Sequence, residues 1–171
     1  MSVAQDRAAD FEDFVVARGP ALWRTAWLLT GDTHLAEDLV QTALSRAWPQ
    51  FGRIERDGGS FEAYVRRALV NVHLTWRRRR WWRNEISSAT MREPQSVVDD
   101  GDSQVLSRHD LLAALATLTA KQRTVVVLRY FEDLTESQIA ESLGCSTGTV
   151  KTHHSRALAH LRASSALAMN D

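Results

Sequence analysis

Residues 135–161 leave the backbone few choices. Thr135 and Gln138 stand at the spacing of a capping box, in which two side chains satisfy backbone N–H groups at the first turn of a helix. An apolar run follows, and Gly144 then supplies the positive φ that ends a helix tightly. Ser146, two residues on, is a helix-starting residue by the same hydrogen-bonding logic. The segment predicts a short helix from Glu136 to Leu143, a turn at Gly144, Cys145 and Ser146, and a longer helix to about Arg162. Ala140 is small where the two helices would cross closely, and Ile139, Leu143, Val150, Ala157 and Leu161 can share one core. That is a helix-turn-helix, whose second helix enters the DNA major groove with its N-terminal residues at base edges. Upstream, Thr119 and Gln122 repeat the box and open a helix through Phe131. Leu111, Leu112, Leu115 and Leu118 mark another before it.

Charge agrees with a groove-facing helix. Ser146 to Ser165 holds Lys151, Arg156, Arg162 and three His, with no acid. Ser146, Thr147, Thr149, Lys151, Thr152, His153 and Arg156 lie at the helix start or point away from the Val150/Ala157/Leu161 side. Hydroxyls and a forked Arg suit base edges, and Lys suits phosphate. A solvated face of a helical hairpin is the plainer alternative, but turn, caps and charge all favour DNA. His154 follows Val150 by four residues, so it reads as a packed, hydrogen-bonded core or boundary histidine rather than a DNA contact. Cys145 reads as a small buried hydrophobe. His153 and His160 are about two turns, roughly 10 Å, apart, too far to chelate one metal.

The rest of the chain forms a second unit. Residues 86–103 are polar and acidic and hold Pro94 and Gly101, a linker composition that separates residues 1–85 from 104–171. Three Pro, eight Gly and few β-branched runs favour helices throughout the 171 residues. We expect an all-α protein of two small helical domains joined by a flexible acidic linker. The longest apolar run, Leu111 to Ala116, is far short of a membrane span, and the first thirty residues, with Asp6, Asp10, Glu12 and Asp13 and no long apolar stretch, do not read as a secretory signal. One cysteine excludes an internal disulfide and points to a reducing, cytoplasmic setting. Lys and Arg balance Asp and Glu at 21 each, so bulk charge does not hold this chain to nucleic acid.

In the N-terminal unit, spacing predicts a helix from about Ala8 to Leu29, stopped by Gly31. A second, capped by Asp32, should run to Trp48, where Pro49 forbids continuation. Leu35, Leu39, Ala43 and Ala47 would be its buried side. Asp38, Gln41 and Ser45, with Glu37 beside them, form an acidic-polar face that could bind a protein or simply be solvated. Gly52 to Ser60 reads as a loop. The third helix, from Ser60 or Phe61, interleaves Tyr64, Arg66, Arg67, Asn71, His73 and Trp76 with Arg77, Arg78, Arg79 and Arg80, then Trp81 and Trp82. Aromatics among arginines suit phosphate contact and stacking on unpaired bases, although a basic helix end is also favoured by the helix dipole. Trp76 also fits a core position, whereas Trp81 and Trp82 are too adjacent to be buried on one face.

AEDLVQTALSRAW at 36–48 and FEAYVRRALVNVHLTWRRRR at 61–80 resemble region 2 of bacterial RNA polymerase sigma factors of the extracytoplasmic-function (ECF) type. LTAKQRTVVVLRYFEDLTESQIAESLGCSTGTVKTHHSRALAHLR at 118–162 resembles their region 4. The resemblance implies a promoter-directing initiation factor, not an enzyme, with core RNA polymerase and promoter DNA as partners and no cofactor or metal. An anti-sigma factor is a further candidate partner. Glu37, Asp38 and Gln41 match the helix that grips the clamp of the largest polymerase subunit. The Gly52–Ser60 loop and the helix carrying Arg67, Asn71, Trp76 and Arg77–Arg80 match the elements that open and read the −10 element. The helix from Ser146 matches the −35 reader, and the acidic linker matches a segment threaded toward the RNA exit path. Relatives often carry Arg at His153, an aliphatic residue at His154 and Asp at Thr75. A stand-alone helix-turn-helix regulator is the main rival, and the neutral overall charge speaks against it.

Overall fold

A computed structural model describes residues 2–86 and 103–168, and all the regular structure among them is helical. The expected linker lies outside the described residues except at its two ends. Backbone proximity groups residues 1–73 into one compact unit and 74–171 into another. The division falls inside a helix, earlier in the chain than the change in composition at residue 85.

In the first unit, α1 (Val3–Thr30) starts on Ser2, which forms a capping box with Gln5. It therefore begins five residues before the expected Ala8. Pro20 sits inside it and leaves the Val16 carbonyl without an in-helix donor. Both residues are exposed, so water can serve that carbonyl. Gly31 ends the helix at φ 70°, donating its N–H to the Trp27 carbonyl at 2.7 Å.

Asp32 caps α2 (Thr33–Ala47) by accepting from the Leu35 N–H at 2.9 Å. The buried line is Ala36, Leu39, Ala43 and Ala47, and its three alanines let α2 lie close against α1. Leu35, expected inside, is 37% exposed. It stands about a quarter turn from the centre of that line, and Ala36 takes its place.

The loop expected over 52–60 is half helix. After a 3-10 turn at Trp48–Gln50, which accommodates Pro49, α3 occupies Phe51–Arg56. Phe51 is buried against the rings of Phe11, Trp48 and Phe61. That long-range anchor stabilises a turn that local sequence does not announce. Gly52 makes room for the stem of Arg7, since a Cβ there would stand 3.0 Å from the Arg7 Cδ. The Arg7 guanidinium in turn lies 4.8 Å from the Trp48 ring centroid. Gly58, at φ 71°, then turns the chain into α4 (Phe61–Ile86). Phe61, Val65, Leu69, Val70, Val72 and His73 are buried along its first half.

In the second unit, α5 (Ser103–Ala116) leads through Thr117 and Leu118 to α6 (Ala120–Tyr130), with the Thr119/Gln122 box formed as expected. Six consecutive residues of α6, Arg123 to Leu128, are buried, so this helix is covered on all sides at its middle. Asp133 adopts φ 51° in the connection that follows, a conformation Asp tolerates better than most residues. Next come α7 (Glu136–Leu143), closed by Gly144 at φ 65°, and α8 (Thr147–Ala168). Ile139, Ala140, Val150 and Ala157 form the buried seam, while Leu143 and Leu161 are half-buried at its edges.

Candidate nucleic-acid and polymerase interfaces

The helix-turn-helix is built from its caps. The Thr135 hydroxyl accepts from the Gln138 N–H at 3.2 Å, and Gln138 Oε1 accepts from the Thr135 N–H at 2.9 Å. The Cys145 N–H donates to the Ala140 carbonyl at 3.0 Å, and the Ser146 hydroxyl accepts from the Thr149 N–H at 3.1 Å. These bonds fix the angle at which α8 leaves the turn. Its packing on α6 and α7 through Val150 and Ala157 fixes which face remains outside.

Ser146 and Thr147 are exposed at the start of α8, and Thr149, Lys151, Thr152 and Arg156 are exposed on that outer side. Several are already engaged locally. The Ser146 and Thr149 hydroxyls are 2.9 Å apart, Thr152 donates to the Gly148 carbonyl, and Lys151 Nζ lies 3.7 Å from Glu136 Oε2. An open groove lined by Arg129, Thr135, Glu136, Ser137, Thr147 and Lys151 runs beside the helix starts. Arg129, Thr135 and Ser137 were not candidates from sequence, where Thr135 registers only as a cap. The groove forms because the turn brings two helix starts together.

The adjacent histidines separate. His153 is half-buried at the edge of the seam, with Lys121 of α6 and Arg156 as charged neighbours. Desolvation first, then those two cations, hold its pKa below the ordinary value. His154, on the other side of the seam, places Nε2 2.7 Å from the Tyr130 hydroxyl. Cys145 is half-buried, less enclosed than expected.

On α2, Glu37, Asp38, Gln41 and Ser45 are exposed together, opposite the alanine line. Gln41 and Ser45 also border a groove floored by Phe11, Val15, Leu44 and Trp48. On α4, Arg67 and Asn71 are exposed and one turn apart, Trp76 is half-buried, and Arg77 to Arg80 are exposed. Four consecutive residues sweep most of the way around a helix, so the arginines cannot all face one strand. Trp81 and Trp82 are each 57% exposed, edge to face. Glu62 pairs with Arg18 at 3.3 Å and Arg66 at 3.5 Å, which ties α4 to α1 below the Arg67/Asn71 face. A buried arginine, Arg123, was not foreseen. Burial, helped by Arg77, pushes its guanidinium down to about 10.

A small all-helical N-terminal unit with an exposed acidic-polar helix face, followed by a C-terminal helix-turn-helix, defines a two-part transcription factor. The Sigma-70 region 2 family matches residues 14–83, and the Sigma-70 region 4 family matches residues 108–161. The chain is 41% identical over 154 residues to an RNA polymerase sigma-E factor of Streptomyces coelicolor, covering 90% of this chain and 84% of that one. It is 34% identical over 142 residues to the ECF RNA polymerase sigma factor SigL of Mycobacterium tuberculosis, covering 82% and 80% of the two chains. Among solved structures, the sigma factor RpoE of Bartonella quintana, in complex with the anti-sigma factor NepR, aligns with a TM-score of 0.74 and 28% identity. That alignment covers 90% of this chain and 94% of that one. The protein belongs to the ECF sigma factors of the sigma-70 family. It binds core RNA polymerase and directs transcription initiation, and the family's members are not enzymes.

Proposed function

We propose that residues 1–85 and 104–171 divide promoter recognition between them. α8 reads the −35 element through Ser146, Thr147, Thr149, Lys151, Thr152, His153 and Arg156. The groove beside it, with Arg129 and Ser137, takes a flanking phosphate. Arg67, Asn71 and Trp76 of α4, with Arg77–Arg80, engage the opened −10 element, and Glu37, Asp38 and Gln41 of α2 grip the polymerase clamp. Residues 1–85, 86–103 and 104–171 act as region 2, linker and region 4. The protein works in the cytoplasm, and an anti-sigma factor is a partner by likeness to the Bartonella complex.

The observation that carries this reading is the outer face of α8. It is exposed, basic and free of acids from Ser146 to Ser165, and it is presented by a seam that buries the opposite side. The test is transcription by core polymerase, with and without this chain, from templates randomised over both elements. Enriched transcripts should share two motifs at fixed spacing, and changes in α8 should alter only the upstream one. Tight operator binding by the chain alone, unchanged by polymerase, would instead identify a stand-alone regulator.

A further inference from the structure

We propose that Tyr130 is a positioning residue for promoter reading: through its hydrogen bond to His154 it fixes the rotation of α8 about its own axis. The proposal rests on α8 being the −35 reader.

The buried supports of α8 are Val150 and Ala157, seven residues apart and nearly in line along the helix. Contacts in one line set the distance between helices and resist sliding but oppose rolling only weakly, and His153, His154 and Leu158 stand half-buried to either side of it. A roll of roughly 30° moves a side-chain tip roughly 6 Å from the axis through about 3 Å, the length of a hydrogen bond. Contacts off that line oppose such a roll, and a hydrogen bond among them does so most directionally. His154 stands beside the line, and its Nε2 meets the Tyr130 hydroxyl at 2.7 Å. The ring centroids are 5.6 Å apart, tilted by 41°. Tyr130 is the last residue of α6, the helix whose middle is buried on every side, so the bond ties α8 to the most firmly held element of the unit.

Tyr130 is 51% exposed, so water competes for this bond and its contribution to stability is small. Its effect is directional. Lys151 and Arg156 flank the outer face and sweep sideways when the helix rolls, and paired base contacts tolerate little misplacement.

The test uses holoenzyme assembled from the full chain and core RNA polymerase, transcribing a template pool randomised over the −35 region. Tyr130→Phe keeps the ring and removes the hydroxyl. It should weaken discrimination between preferred and random −35 sequences by about three- to tenfold, the factor expected for one hydrogen bond. His154→Leu should do the same, and the double variant should be no worse than either single one. His154→Gln, whose amide can meet the phenol, should recover much of the discrimination. Unchanged discrimination in Tyr130→Phe, or additive losses in the double variant, overturns the proposal, as does lowered melting with the sequence preference intact. If the unsubstituted holoenzyme shows no −35 preference, the assignment of α8 fails and this proposal with it. A strong preference that ignores both substitutions removes the positioning role alone.

Discussion

His153 stands half-buried at the edge of the α8 seam. Its imidazole has Lys121 and Arg156 as charged neighbours, and burial first, then both charges, favour the neutral form. The unfolded chain therefore takes up this proton first as pH falls. The stability held by neutral His153 is full above pH about 6.5 and is lost as pH drops through the lower folded value. DNA phosphate acts in the opposite direction, because it favours the charged ring. Holoenzyme affinity for −35 duplex should rise between pH 7.5 and pH 6 while the free protein melts at lower temperature. His153→Arg, with its permanent charge, should bind more tightly at pH 7.5, flatten this pH dependence and steepen the salt dependence by about 0.9 per additional phosphate neutralised. Titrating affinity against pH and salt for both proteins checks it. Of the pair, sequence spacing placed 154 near the core. It could not place Lys121 beside 153, because that proximity depends on how α6 packs against α8.

Helix ends and helix faces carry the next set of expectations. Gly144 closes α7 at φ 65° with open space where a Cβ would go, so only backbone strain opposes a side chain there. Gly144→Ala should cost about 1–2 kcal/mol, seen as a lower melting temperature, and should reduce −35 binding by loosening the turn. On α2, Asp38→Arg with Gln41→Ala changes exposed positions opposite the alanine line. Stability should move by no more than about 0.5 kcal/mol, while co-purification with core polymerase falls sharply. On α4, Arg78, Arg79 and Arg80 changed together to Gln should lower both affinity for single-stranded non-template DNA and its salt slope, by roughly 0.7 for each phosphate left without its arginine. These faces were legible from sequence because they depend on residue spacing within one helix. α3 was not, because Phe51 is anchored by rings that come from α1 and α4.

For the molecule as a whole, the neutral charge sets the scale of DNA binding. With 21 basic and 21 acidic residues, the free chain should bind duplex DNA only in the range of non-specific association, about 1 μM or weaker at physiological salt. Tight, sequence-selective binding should appear only with core polymerase present. Fluorescence anisotropy of labelled promoter DNA, with and without polymerase, measures the difference directly. Nanomolar binding by the chain alone would contradict it.

Capping, periodicity and turn chemistry act within about one helical turn, so the chain states them directly. The Thr119 and Thr135 boxes, the stop at Gly31 and the turn at Gly144 all formed where residue types required them. Those local rules made the helix-turn-helix and its outer face readable without coordinates. What they could not supply is how one helix meets another. Close packing between α1 and α2 put Ala36 inside and Leu35 outside, and burial of Phe51 turned an expected loop into α3. The central position of α6 buried Arg123, and the crossing of α6 and α8 brought Tyr130 to His154 across twenty-four residues. Each of these depends on side chains distant in sequence competing for the same interior space, a competition that only the folded chain resolves.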